Sequence, residues 1–167
     1  DAFNFIGSGY IGGVLPTPVL YSIIFVILCY LMMNKTKMGR YIYAVGGNPE
    51  AARFSGIHIK RVKFFAYTFS GFMAGFAGIV LASRMFSGQP TAGVAAELDA
   101  IAAVVLGGTS MTGGYGRIGG TVIGALIIGV LSNGLNLIGV SSFWQYIVKG
   151  IVILIAVYAD VIKRKTA

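Results

Sequence analysis

The stretch "VLYSIIFVILCYLMMNKTK", from Val19 to Lys37, is almost wholly apolar until it ends in cations. A transmembrane helix needs about 20 mostly apolar residues, and a span over about Val14–Met33 satisfies that length. The composition agrees, because 56% of the 167 residues are hydrophobic, 11% are charged and the mean hydropathy is +0.83. A soluble domain carries about 25% charged residues. The sequence therefore predicts a membrane protein.

Further apolar segments predict a bundle of spans. The predicted spans are about Val14–Met33, Phe64–Ser83, Thr121–Ile138 and Tyr146–Ile162. A fifth segment, Leu98–Leu106, is too short to cross alone and continues into glycines. Such backbone is tolerated at membrane depth only where protein shields it or where it lines a water-filled cavity. We expect a broken or re-entrant helix there, within an all-α, polytopic transmembrane helix bundle that forms a single domain over residues 1–167.

Positive charge gathers at the ends of the predicted spans. Seven of the thirteen Lys and Arg residues lie in one loop, at Lys35, Lys37, Arg40, Arg53, Lys60, Arg61 and Lys63, and three more lie in the C-terminal tail, at Lys163, Arg164 and Lys165. Because cytoplasmic loops are enriched in Lys and Arg, we expect this loop and the C-terminus in the cytoplasm. Nucleic-acid binding would need a basic face on a folded domain, so the formal charge of +8 does not indicate it.

A short helix is predicted inside the basic loop, within "GNPEAARFSGIHIKRVK" (Gly47–Lys63). Asn48 suits the N-cap, Pro49 the first helical position, and Glu50 the positive end of the helix dipole. Gly56 suits the left-handed position after the C-cap. The helix would cover Pro49–Ser55, and a helix of this length is marginal alone in water.

Two interpretations of this helix follow. It is a connector lying on the inner membrane surface, or it docks into a groove on a cytoplasmic partner that supplies the missing stabilisation. In the second interpretation the docking residues are Ala51, Ala52, Phe54 and Ile57. The physics of the sequence leaves both interpretations open.

Several motifs resemble a known family. "EAARFSG" (Glu50–Gly56) is similar to the Glu-Ala-Ala-x-x-x-Gly loop of ATP-binding-cassette importer permeases, although the Leu-Pro that ends the motif in some of them is absent. The longer runs "TKMGRYIYAVGGNPEAARFSGI", "ELDAIAAVVLGGTSMTGGYGRIGGTVIGALIIGVLSNGLNL" and "SSFWQYIVKG" resemble the carbohydrate-uptake permeases for ribose, xylose and galactosides. The resemblance covers essentially the whole chain and corresponds to the C-terminal half of such a permease.

The resemblance implies a non-catalytic transport subunit in the bacterial plasma (inner) membrane. Its loop helix would be the coupling helix, with ATPase-coupling residues Asn48, Pro49, Glu50, Ala51, Ala52, Arg53, Phe54 and Gly56. The implied partners are a cytoplasmic ATP-binding-cassette ATPase, an extracytoplasmic sugar-binding protein and a second permease subunit, for which a homodimer is expected and a heterodimer stays open. No cofactor is expected on this chain, since ATP and Mg²⁺ would be bound by the ATPase.

Two other features do not predict a catalytic or nucleotide site. "GGTSMTGGYGRIGG" (Gly107–Gly120) lacks the Gly-Lys-Ser/Thr ending of a phosphate-binding loop, and no strand precedes it. We expect its glycines to permit a tight turn and close helix packing. His58 is the only histidine, without a Cys or carboxylate cluster around it, so no metal site is expected.

Polar residues in and beside the spans are the candidates for transport. Ser132, Asn133 and Asn136 are predicted to face the substrate pathway, because polar groups at membrane depth are costly unless they face protein or water. The alternative is that they bond across helices. Arg84, Glu97 and Asp99 lie in or beside the predicted outer loop and are the candidates for binding-protein docking, while Lys149 is expected to snorkel to the interface.

The function that fits best is a permease subunit of an ATP-driven monosaccharide importer. One alternative is a permease for branched-chain amino acids, whose zwitterionic substrate would favour charged pathway groups over these neutral ones. A second alternative is a passive channel or facilitator, which would have no use for a docking helix. An intramembrane enzyme would need clustered acids, histidines or a nucleophile with its base, and the spans offer none.

Overall fold

The computed structural model describes residues 6–13 and 15–165, and its fold is all-α. The helices are α1 (Thr17–Lys35), α2 (Lys37–Gly47), α3 (Pro49–Phe54), α4 (Ile59–Met85), α5 (Ala96–Leu106), α6 (Ile118–Leu137) and α7 (Ser142–Lys165). The chain divides into two compact units, Asp1–Val94 and Ala95–Ala167. The first unit holds α1 to α4, and the second holds α5 to α7.

The first unit begins with a small hairpin that is fastened to α1. Strands β1 (Tyr10–Ile11) and β2 (Leu15–Pro16) pair antiparallel. The buried Thr17 donates its hydroxyl to the Ile6 carbonyl at 2.9 Å, and its backbone N–H donates to the Gly9 carbonyl at 2.9 Å. These bonds hold the hairpin at the start of α1.

Aromatic side chains pack α1 against α4 within this unit. The Phe76 ring lies edge-on to Tyr21, with ring centroids 5.6 Å apart, and to Phe25, at 4.8 Å. Edge-to-face pairs at this separation are favourable. The two long apolar helices therefore contact each other along part of their length.

Helix α2 was not predicted from the sequence. It begins directly after α1, where the Thr36 hydroxyl oxygen accepts from the Gly39 N–H at 3.2 Å. Gly39 is buried against the backbone of Met33, where a Cβ would not fit. The apolar residues of α2, Met38, Ile42 and Val45, recur at helical spacing and form one face.

In the second unit, glycines bring α5 and α6 into backbone contact. An added Cβ at Gly107 would lie 2.5 Å from the Gly120 carbonyl carbon, and one at Gly124 would overlap the Ala103 carbonyl oxygen. Small residues allow such close approach between membrane helices. The expectation that the glycines serve close packing is confirmed at these positions.

The predicted spans compare closely with the helices. Among the described residues, α1, α4 and α6 are long and apolar enough to cross a membrane. Val14, the predicted start of the first span, lies outside the described residues. In α7 the apolar part is Ser142–Tyr158, which is shorter, so the fourth span stays a prediction. The short fifth segment forms α5, of 11 residues.

Candidate functional site: a capped loop helix and the polar residues of the second unit

The short loop helix α3 is capped at both ends. At its start, the Asn48 side-chain oxygen accepts from the Ala51 N–H at 3.0 Å. At its end, the Gly56 N–H donates to the Arg53 carbonyl and the Ile57 N–H donates to the Ala52 carbonyl, both at 3.0 Å. This pair of bonds is the Schellman motif, which requires a left-handed residue after the C-cap, and Gly56 has φ +79°.

The caps confirm the predicted limits of the helix to within one residue. Its last helical residue is Phe54, and Ser55 is the C-cap. Pro49 lies in the first turn together with Glu50, as predicted. The residues that cap this helix were therefore predictable from the sequence.

A small apolar cluster, which we call the inner cluster, supports α3. Val45 from α2, Ala52 from α3 and Val62 from α4 are buried in it. Partly buried residues pack around these three, namely Met38, Ile42, Ile57 and Ile59. Helices α2 and α4 therefore supply apolar contacts that an isolated α3 would lack, and the docking of α3 into a partner stays a prediction.

The inner cluster also limits which side chains of α3 are exposed and could contact a partner. Ala52 is only 4% exposed, so it was wrongly expected to face a partner, whereas Ile57 is partly buried against the cluster and its docking role stays a prediction. Ala52 instead fixes α3 to its own chain. The role of the other coupling residues stays a prediction.

The opposite face of α3 is open. The Phe54 side chain is 91% exposed, and Glu50, Ala51 and Arg53 are exposed beside it. At the C-terminal end of α3 is a groove of about 880 Å³, lined by Arg53, Gly56, Ile57, His58, Ile59, Lys60 and Arg61. An exposed aromatic ring and a basic groove on one short loop segment are typical of a surface that binds another macromolecule.

Asn136, one of the predicted pathway residues, is engaged within the second unit. Its side-chain oxygen accepts from the Gln145 amide at 2.8 Å, and the same amide nitrogen donates to the Val140 carbonyl at 2.9 Å. Gln145 is buried, at 8% exposed, and was not singled out from the sequence. Asn136 thus makes the interhelical bond that was the alternative to a pathway role.

The other two predicted pathway residues differ in exposure. Asn133 is exposed. The Ser132 hydroxyl is fully covered and has no hydrogen-bond partner among the described residues. Ser132 and Asn136 are four residues apart, so they share one face of α6. The assignment of Ser132, Asn133 and Asn136 to a substrate pathway stays a prediction.

Lys149 forms an ion pair that the sequence did not predict. Its ammonium nitrogen lies 2.6 Å from Asp99 Oδ1, which joins α7 to the first turn of α5. The Lys149 side chain is 9% exposed and that of Asp99 is 40% exposed. Lys149 thus has a carboxylate partner on another helix of the same unit, and its snorkelling to the interface stays a prediction.

The candidates for binding-protein docking lie on different elements. Arg84 is exposed in the last turn of α4, and Glu97 is exposed in the first turn of α5. Asp99 is already paired with Lys149. Their role in docking stays a prediction.

The glycine-rich stretch forms a closed turn. The Ser110 N–H donates to the Tyr115 carbonyl at 3.0 Å, and the Ser110 and Thr112 hydroxyls are 3.0 Å apart. Arg117 lies over the Tyr115 ring at 5.9 Å, which is within cation–π distance. Among the residues with described positions, no group of three or more His, Cys, Asp or Glu side chains could hold a metal ion.

Comparison with known proteins identifies the family. Residues 1–157 match the family described as branched-chain amino acid transport system / permease component. The chain is 54% identical over 165 residues to the ribose import permease protein RbsC of Bacillus subtilis (strain 168), an alignment that covers 99% of this chain and 50% of that protein. It is 55% identical over 160 residues to the protein of the same name in Escherichia coli (strain K12), covering 96% and 50%.

A xylose relative is also similar. The xylose transport system permease protein XylH of Escherichia coli (strain K12) is 50% identical over 145 residues, which is 87% of this chain and 37% of that protein. No solved structure matches the chain. The chain spans half the length of the ribose relatives. It is a multi-pass membrane protein, and it belongs to this family of transport-system permease components, together with the ribose and xylose permeases.

Proposed function

We propose that the chain is part of the transmembrane permease of an ATP-driven monosaccharide importer of the ribose, xylose or galactose type. One observation supports this most directly: the chain is 54% identical to a ribose import permease over 99% of its own length. The permease itself is non-catalytic. A separate ATPase on the cytoplasmic side binds and hydrolyses ATP, with Mg²⁺.

The partners and the location follow from the same proposal. An extracytoplasmic sugar-binding protein delivers the sugar, and a second copy of the permease completes the pathway in the bacterial plasma membrane. The basic loop between α1 and α4 and the C-terminal tail face the cytoplasm, as their Lys and Arg content favours.

The surface of α3 supports coupling to the ATPase through this loop. Phe54, 91% exposed, is the side chain best placed to enter a cleft on a partner, because aromatic anchors dominate the energy of interfaces. The inner cluster holds α3 from behind, so a partner that binds Phe54 would meet a helix that is already formed. A preformed helix avoids an ordering cost on binding.

The neutral polar groups of the second unit favour a sugar over an amino acid. Asn133 and Asn136 are exposed and carry amides, which both donate and accept hydrogen bonds and so suit a substrate rich in hydroxyls. The charged pair in that unit, Asp99 with Lys149, is already neutralised. A zwitterionic substrate would be better served by unpaired charges.

Uptake by cells that carry the full-length permease, the ATPase and the binding protein tests the proposal. Labelled ribose, xylose, galactose and leucine are offered to cells that lack uptake systems of their own for these solutes. We expect ATP-dependent uptake of a monosaccharide and none of leucine. Leucine uptake without sugar uptake would indicate the amino-acid permease, and sugar uptake that survives ATP depletion would indicate a passive facilitator.

A surface variant tests the coupling helix separately. Phe54→Ala removes the exposed ring without touching the inner cluster, so the membrane level of the permease should not change. Truncation of a central interface anchor commonly weakens binding by about 2 kcal/mol or more, so we expect uptake to fall about tenfold or more. The control is Tyr41→Ala, which removes an exposed ring on α2. Equal uptake by the two variants would mean that α3 is only a connector.

A further inference from the structure

The two ends of the short helix α5 are held in different ways. At its C-terminal end, Ala102, Ala103 and Val105 are buried. Beyond them, the backbone of Gly107 lies directly against Gly120 of α6. Interiors packed this closely do not deform continuously, so this end of α5 is fixed on α6.

The N-terminal end of α5 has little apolar support. Ala95, its N-cap residue, has φ +66° and makes no side-chain cap hydrogen bond. The following residues Ala96, Glu97 and Leu98 are exposed. In this first turn, Asp99 is tied to Lys149 of α7 by the 2.6 Å ion pair.

Lys149 itself is held in place on α7. One helical turn before it, on the same face, the buried Gln145 donates to Asn136 Oδ1 and to the Val140 carbonyl. The same face of α7 thus contacts α6 through Gln145 and α5 through Lys149. Because Gln145 fixes this face on α6, the ammonium group of Lys149 is presented to α5 at a defined position.

The ion pair is asymmetric in its access to water. The Lys149 side chain is 9% exposed, whereas Asp99 is 40% exposed. The Asp99 Oδ1 atom that faces Lys149 is covered, but the rest of that side chain reaches water, so removal of Lys149 would leave the Asp99 carboxylate partly solvated. If Asp99 were removed, the ammonium group would stay covered without a partner, which is strongly unfavourable.

We propose that Lys149 is a positioning residue that tethers the acidic end of α5, while the glycine contacts fix the other end. When the tether is absent, α5 moves about its glycine end, and the transport step slows although the sugar is still bound. The role in transport rests on the function proposed above. The tether itself concerns only the described contacts of α5, α6 and α7.

Deuterium labelling of the full-length permease tests the tether without any transport. The backbone amides of residues 99–101 report the tethered end of α5, and those of residues 104–106, at its glycine end, are the matched control. In Lys149→Met, we expect the amides at the tethered end to exchange about threefold faster or more, since local opening exposes a weakly held end. The rate at the glycine end should not change. An unchanged rate at residues 99–101 would overturn the proposal.

Neutral variants test the consequence for transport. Asp99→Asn should lower the membrane level of the permease more than Lys149→Met does, because it leaves the covered ammonium group unpaired. The double variant Asp99→Asn, Lys149→Met removes both charges and should recover the membrane level. The maximal uptake rate per molecule of the double variant should be about tenfold lower, with KM unchanged. This corresponds to a rise of about 1.4 kcal/mol in the activation free energy of transport.

The other outcomes each contradict the proposal. Wild-type uptake by the double variant would mean that the ion pair serves packing alone. A raised KM with an unchanged maximal rate would mean that the pair contacts the sugar directly. If the unmodified permease transports no sugar, the proposed function fails, and the labelling rates still decide whether the tether exists.

Discussion

One methyl group added at Gly124 should separate α5 from α6. An alanine Cβ there would overlap the Ala103 carbonyl oxygen and lie 2.9 Å from the Gly107 nitrogen. Both neighbours are backbone atoms, which cannot rotate away as a flexible side chain would. The helices must therefore move apart to accept the methyl group.

The size of the effect follows from two opposing terms. Replacing glycine by alanine inside a helix contributes about 0.5–1 kcal/mol of stability. Overpacking a close contact costs about 1–3 kcal/mol, occasionally more. Gly129 lies on the same helix, and an added Cβ there meets no atom within 4 Å. Gly129→Ala should therefore gain the stability that alanine brings to a helix, without any cost of overpacking. Gly124→Ala should therefore be about 1–3 kcal/mol less stable than Gly129→Ala.

Thermal unfolding of the purified full-length permease in detergent measures this difference. The three proteins to compare are the unmodified permease, Gly124→Ala and Gly129→Ala, at matched detergent and protein concentrations. We expect Gly129→Ala to melt at or above the unmodified midpoint and Gly124→Ala below it. If Gly124→Ala melted as high as Gly129→Ala, the close backbone contact between α5 and α6 would be refuted.

Two further predictions concern the loop helix, and both use the melting midpoint of the same permease. Asn48→Ala removes the side chain that accepts from the Ala51 N–H, so it should cost about 1 kcal/mol, and a midpoint like that of the unmodified protein would argue against the cap. Val62→Ala empties part of the inner cluster, where Val62 is 5% exposed, and should cost about 1.5–3 kcal/mol. Its control is Val94→Ala, whose side chain is 67% exposed, and equal losses in the two variants would contradict a cluster that supports α3.

The elements with strong local signals were predictable from the sequence. Long apolar runs specify the spans, since length and composition decide whether a helix can cross a membrane. The limits of α3 were predictable because Asn48, Pro49 and Gly56 act on the backbone within a few residues of themselves. The close packing of Gly107 on Gly120 was predictable for a different reason, since small residues allow close approach between membrane helices.

The features that the sequence did not reveal depend on distant partners. Lys149 pairs with Asp99, 50 positions earlier in the chain, and nothing near Lys149 indicates this contact. Gln145 lacks any local signal because its partner, Asn136, lies on the preceding helix. Helix α2 was missed because its glycines weaken the helical pattern, and its apolar face becomes clear only when the inner cluster is known.

Helices α3 and α4 are joined through the inner cluster. Ala52 packs with Val62, and Val62 lies in the first turns of α4, a helix of 27 residues that is about 40 Å long at about 1.5 Å per residue. The loop helix and the long helix therefore share one apolar contact, so a force applied to α3 passes to the first turns of α4 through the side chains of Ala52 and Val62.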